Sequence, residues 1–171
     1  MFVLGIDPGV SSCGYGCVAR RGDELSTVTA GVITTEPGDP LPERLADLAG
    51  ELRALIGELS PAAVAVERVF FQTNARTAMS VGQASGLALV AAAEAGCAVA
   101  QYTSNEVKQA VTGYGSATKE QVQRMVAVLL GLREPPAPAD VADALGLAIC
   151  HLTVAPRAER IGASASRGGQ P

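Results

Sequence analysis

Tryptophan is absent from this sequence, and only three phenylalanines and three tyrosines occur among its 171 residues. Aromatics at 4% exclude a broad stacking platform for nucleic-acid bases. Histidine occurs once, as His151, and the four cysteines at 13, 17, 97 and 150 form no C-x-x-C pair. A zinc site would need ligands scattered along the chain, so zinc is not expected. That spacing leaves a structural disulfide open. Long apolar runs are also missing. Asp7 interrupts the N-terminal stretch after a few residues, and the longest later run, Gly86 to Ala93, stops at Glu94, far short of a bilayer span. The expectation is a soluble protein of a reducing cytoplasm. Charge is sparse, at 18% of residues with a net value of −4. This excludes a chain that grips nucleic acid by bulk positive charge, and 48% hydrophobic residues exclude a disordered one. The length suits one domain with one core, read as residues 1–155, followed by a flexible tail over 156–171.

The small net charge hides an uneven distribution. Arg20 to Glu67 holds 4 basic and 9 acidic residues, a net of −5, whereas Arg68 to Arg133 holds 6 basic and 3 acidic, a net of +3. From Ala144 to the end there are 3 basic residues and 1 acidic one. Such local fields matter more to a polyanion than the total does.

Apolar patterning predicts an α/β order. Phe2–Ile6 is a short strand closed by Asp7-Pro8-Gly9, and Gly14–Arg20 and Leu25–Thr35 form a hairpin around Gly22. Leucines at 41, 45, 48, 52, 55 and 59 mark an amphipathic helix. Ala62–Val66 is a buried strand, Thr73–Ala95 a helix rich in small residues, and Cys97–Tyr102 a fifth strand. Helices follow at Glu106–Val111, at Thr118–Leu130 with a Thr118/Gln121 capping box, and at Asp140–Val154. The expected fold is a five-stranded mixed sheet flanked by helices.

Four carboxylates fall at element ends. Asp7 closes the first strand, Glu67 closes the fourth, and Asp140 and Asp143 open the last helix on one face. Asp7 also suits a turn, and Asp140 suits a helix cap. Glu67, after Ala-Val-Ala-Val, is harder to explain without a partner or a metal. If the first and fourth strands are parallel neighbours, Asp7 and Glu67 meet at one sheet edge. Carboxylates gathered in this way need divalent cations, and an oxygen-only set suits Mg²⁺ or Mn²⁺.

Leu4-Gly-Ile-Asp-Pro-Gly9, Val66-Glu-Arg-Val-Phe70, Val107-Lys-Gln109, Gly115-Ser116-Ala117 and Asp140-Val-Ala-Asp-Ala-Leu145 occur here in one order and spacing. In this the chain resembles the RuvC family of bacterial Holliday-junction resolvases, from about Phe2 to His151. The resemblance implies a ribonuclease H-like fold, a homodimer, magnesium-dependent nicking of four-way DNA junctions, and cooperation with the RuvA–RuvB branch-migration machinery. It maps the acidic set onto Asp7, Glu67, Asp140 and Asp143; some members carry histidine where Asp140 stands. Two metal ions, typically about 4 Å apart, would serve phosphodiester hydrolysis. Asp7 is expected to bridge them, Glu67 to hold one, and Asp140 with Asp143 the other.

Lys119 is a candidate to neutralise the scissile phosphate. Arg76, Lys108, Lys119 and Arg124 are candidate phosphate contacts, and the Gly113–Ser116 loop with Tyr114 is a candidate to follow the DNA backbone. The family resemblance favours Phe70, rather than Phe71, as the residue that stacks on an unpaired base. Ala78, Gly82, Ser85 and Gly86 would let the helix from Thr73 form a dimer seam, against the alternative of a core helix. Two other function classes stay open: an actin-like phosphotransferase, from the Gly5–Gly9 opening, and a junction-binding protein without catalysis.

Overall fold

The computed structural model describes residues 1–68 and 75–167, with side chains for 1–68 and 78–155. Three strands come first: β1 (Phe2–Asp7), β2 (Ser12–Arg21) and β3 (Glu24–Thr34). Helix α1 (Leu41–Leu59), strand β4 (Ala63–Glu67), helix α2 (Ala75–Glu94) and strand β5 (Ala98–Tyr102) follow, then α3 (Ser104–Thr112), α4 (Lys119–Leu129) and α5 (Ala139–Arg167).

The sheet has the order β3-β2-β1-β4-β5. β1, β2 and β3 pair antiparallel, and Gly22, at a φ of 62°, makes the tight β2–β3 turn with Asp23. β1 and β4 pair parallel, with Ile6 opposite Val66, so Asp7 and Glu67 leave the sheet side by side. β4 pairs parallel with β5, and Glu67 stands opposite Tyr102.

Two apolar layers sandwich the sheet. α1 and α2 cover one face through Leu48, Leu52, Ile56, Ala84 and Ala88. α3, α4 and α5 cover the other through Val107, Val126, Leu145 and Ile149. Glycine decides how closely α5 lies on the sheet. A Cβ on Gly5 would sit 1.9 Å from the Ala144 carbonyl oxygen, and one on Gly14 would sit 2.2 Å from that of Asp140. With bare Cα atoms at these points, α5 crosses β1 and β2 at backbone contact and brings its acidic N-terminus to the sheet.

The predicted elements are present, with three adjustments. α5 runs to Arg167 rather than ending at Val154. The four cysteines are free thiols, so the disulfide left open by their spacing is not formed. Ser85, expected on the small-residue seam of α2, is buried; Ala84, Ala88, Ala91 and Ala92 of the same helix pack into the core. Met79, Gly82 and Val90 are exposed instead, so α2 has both a core face and an open face.

Candidate active site

The carboxylates converge where the parallel strands end. Asp7 of β1, Glu67 of β4 and Asp143 of α5 line one cavity of about 290 Å³, together with Lys119, Lys108 and Ser104. Val107, Val122 and Leu147 form its apolar wall. Two helices present their first turns here, and a third passes the cavity one turn from its start. α3 begins at Ser104, α4 begins at Lys119, and Asp143 lies one turn into α5. The partial positive charge of helix N-termini favours carboxylates and phosphates at this position. Capping boxes at Thr103/Glu106 and Thr118/Gln121 fix two of these ends.

The acids repel one another. Asp7 is pushed up to about 7, first by burial, then by Glu67, Asp143 and Asp140, with Lys119 opposing. Glu67 is raised by burial and Asp143, and this is countered by a hydrogen bond with Asp7 and by Lys119. Lys119 Nζ lies 2.7 Å from Asp143 Oδ2. That hydrogen bond, with the charges of Asp143, Asp7 and Asp140, outweighs burial and raises the Lys119 ammonium. Asp140 accepts a hydrogen bond from the Ser12 hydroxyl and does not line the cavity, although its charge reaches Asp7. It is the second residue of α5 and so is not the helix cap.

This donor set is all oxygen and carries excess negative charge, which fits a divalent cation in chemistry and electrostatics. Among the described residues no three acidic, histidine or cysteine side chains are already drawn into one ligand shell. Asp143 is paired with Lys119 and Asp140 with Ser12, so both carboxylates already have a partner that a cation would have to replace.

The other expected residues are spread around this centre. Lys108 is on the cavity rim, while Tyr114 and Arg124 line a separate, largely apolar hollow with Met125 and Val128. Phe70 and Phe71 lie outside the described residues, and Arg76 is described in backbone only. Two further features have no local signature in the sequence. One is Ser12, whose partner Asp140 is 128 residues away. The other is the Tyr102–His151 pair, with the hydroxyl 2.8 Å from Nδ1. His151 lies two turns beyond Asp143 on α5, and Tyr102 lies beside Glu67, so the pair ties the helix to the strand end behind the site. Burial pushes the Tyr102 hydroxyl up to about 12, with smaller contributions from Cys150 and Glu106, so it stays protonated.

A mixed sheet with carboxylates at adjacent parallel strand ends, joined by acids on a helix crossing them, defines a nuclease of ribonuclease H-like fold. The family described as crossover junction endodeoxyribonuclease RuvC matches residues 3–151. The chain belongs to that family. It is 51% identical over 164 residues to the crossover junction endodeoxyribonuclease RuvC of Chloroflexus aggregans, covering 96% of this chain and 100% of that one. Thermus thermophilus RuvC is similar in structure, with a TM-score of 0.86 and 40% identity over 92% of this chain and 97% of that one. The same protein in complex with Holliday junction substrate matches at a TM-score of 0.86 and 42% identity, over 91% of this chain and 94% of that one. The chain is therefore a nuclease, an endodeoxyribonuclease, and the phosphotransferase and non-catalytic readings fall away. Nucleases of this family depend on divalent metal ions.

Proposed function

We propose that this enzyme resolves four-way DNA junctions by nicking two opposed strands, using Mg²⁺ (Mn²⁺ substituting) with two ions per subunit. One observation carries the reading: Asp7, Glu67 and Asp143 share a cavity with Lys119 at the strand ends of a RuvC-family fold. The junction complex of the Thermus relative supports the substrate.

Asp7, Glu67 and Asp143 would hold the metal, with Asp140 joining them on release from Ser12. When bound, the metal supplies an activated water and stabilises the leaving oxygen. The chain's own groups prepare the rest. Lys119 and Lys108 flank the cavity and offset phosphate charge as the backbone enters. The N-termini of α3 and α4 add to that field, and the apolar wall of Val107, Val122 and Leu147 limits water. Asp7, pushed up to about 7 by burial and its acidic neighbours, must give up its proton before it can ligate. Tyr114 and Arg124, which lie outside the cavity, remain proposed DNA contacts, as do Arg76 and Phe70.

A four-way junction has two-fold symmetry, so paired nicks call for a homodimer. The open face of α2, with Met79, Gly82 and Val90 exposed, is the proposed seam. Cooperation with the RuvA–RuvB machinery and a cytoplasmic location belong to the same reading, and the domain–tail division at residue 155 goes with it. No described helix is long and apolar enough to cross a membrane.

The test is a gel assay on a synthetic four-way junction beside a linear duplex of the same arms. The expected result is Mg²⁺-dependent paired nicks on the junction alone, lost in Asp7→Asn while junction binding persists. Equal cutting of the duplex, or cutting by Asp7→Asn at the parental rate, would contradict it.

A further inference from the structure

The proposed function uses the carboxylate cavity and its basic surroundings and leaves the acidic segment, apart from Glu67 at its end, without a role. That segment, Arg20 to Glu67, carries a net charge of −5 and includes β3 and α1. Between these two elements lies an open groove of about 780 Å³. One wall is Val32, Ile33 and Thr34, three successive residues of β3. Successive side chains of a strand point to opposite faces, so three in a row on one wall means that β3 turns its edge to the groove. β3 is the outermost strand and pairs only with β2. Its outer backbone groups therefore have no strand partner among the described residues.

The opposite wall is α1, which contributes Asp47, Glu51 and Glu58. All three are exposed, and none has an ion-pair partner among the described residues. An unpaired strand edge facing unpaired acids repels phosphate and attracts cationic groups. We propose that this groove binds an extended basic segment of a partner protein, which adds a strand to β3 and lays lysine or arginine side chains against α1. The spacings agree. Alternate residues of a strand repeat about every 6.6 Å, and four residues of helix rise about 6 Å. Basic side chains two apart on the segment thus meet Asp47 and Glu51 in turn, while Glu58, about 10.5 Å of helix rise beyond Glu51, lies outside that repeat and adds only to the negative field of the groove. α1 packs on the sheet face opposite α3, α4 and α5, so the segment and DNA can be held together.

The test uses the full chain and three labelled lysine–threonine peptides of one composition: alternating, blocked, and alternating with N-methylated backbone. By fluorescence anisotropy the alternating peptide should bind about tenfold more tightly than the other two. The triple variant Asp47→Asn/Glu51→Gln/Glu58→Gln should bind it about tenfold more weakly. These sites are exposed, so the variant should melt and nick junctions as the parent does. Hydrogen exchange should slow over residues 31–34 when the alternating peptide is bound. Equal binding of all three peptides, or slowing confined to the Asp7 cavity, would overturn the proposal. So would a triple variant that sediments at lower mass yet binds peptide unchanged, because the occupant would then be a second copy of the chain.

Discussion

Two sets of carboxylates, of similar size and on opposite sides of one sheet, behave in opposite ways. Asp47, Glu51 and Glu58 stand exposed along α1, where water screens each from the next. Asp7, Glu67 and Asp143 crowd one cavity, where burial and mutual repulsion push Asp7 up to about 7. The first set is a surface field available to a partner. The second stores unfavourable charge that protons or a divalent cation relieve. The difference lies in placement, because parallel strand ends and close helix packing force the second set together.

The comparison breaks most visibly at Asp7. Asp7→Asn is expected to lower the nicking rate by several orders of magnitude, whereas Glu51→Gln should leave it within twofold, a contrast that single-turnover kinetics would read.

The same contrast extends to stability. Asp7 titrates at 3.8 when unperturbed and at about 7 in the fold, so between these values the folded state binds more protons than the unfolded one. Stability of the metal-free protein therefore falls as pH rises through this window, by up to about 4 kcal/mol at 1.36 kcal/mol per pKa unit. Melting curves from pH 4 to 8 should show the decline, and Asp7→Asn should flatten it. A metal-free parent that gains stability over that range would contradict the repulsion.

Packing sharpens the comparison at the next scale. Gly14→Ala places a Cβ 2.2 Å from the Asp140 carbonyl oxygen and should cost about 1–3 kcal/mol in urea unfolding. Gly57→Ala on α1 meets nothing within 4 Å and should stabilise by about 0.5–1 kcal/mol. An effect of similar size is expected at Tyr102→Phe, which removes the hydrogen bond to His151 for about 1 kcal/mol and lowers nicking more than junction binding if the pair positions α5.

Much of the site can be read along the chain because it sits at element ends. Asp7 and Glu67 end apolar runs, and an acid there is conspicuous whatever the fold. Asp140 and Asp143 declare themselves by helical spacing, although the sequence does not reveal that Ser12 holds Asp140 aside. Lys119 could equally be a surface lysine until α4 is seen to deliver it to Asp143. The Tyr102–His151 pair joins residues 49 apart and leaves no local pattern. The Thr118/Gln121 capping box is legible and marks the start of α4, whereas the Thr103/Glu106 box, not read from the sequence, places the start of α3 at Ser104 rather than Glu106. Ser85 belongs to the core because helical phase, not residue size, decides which side of α2 faces inward.

The central claim is that the cavity exchanges the proton held on Asp7 for a divalent cation. Calorimetric titration of the metal-free protein with Mg²⁺, in two buffers of different ionisation enthalpy, counts the protons released. The account predicts close to one proton released per chain at pH 6, falling toward none by pH 8.5, and no such release in Asp7→Asn. Binding at pH 6 with no proton release, or release that persists in Asp7→Asn, would contradict it.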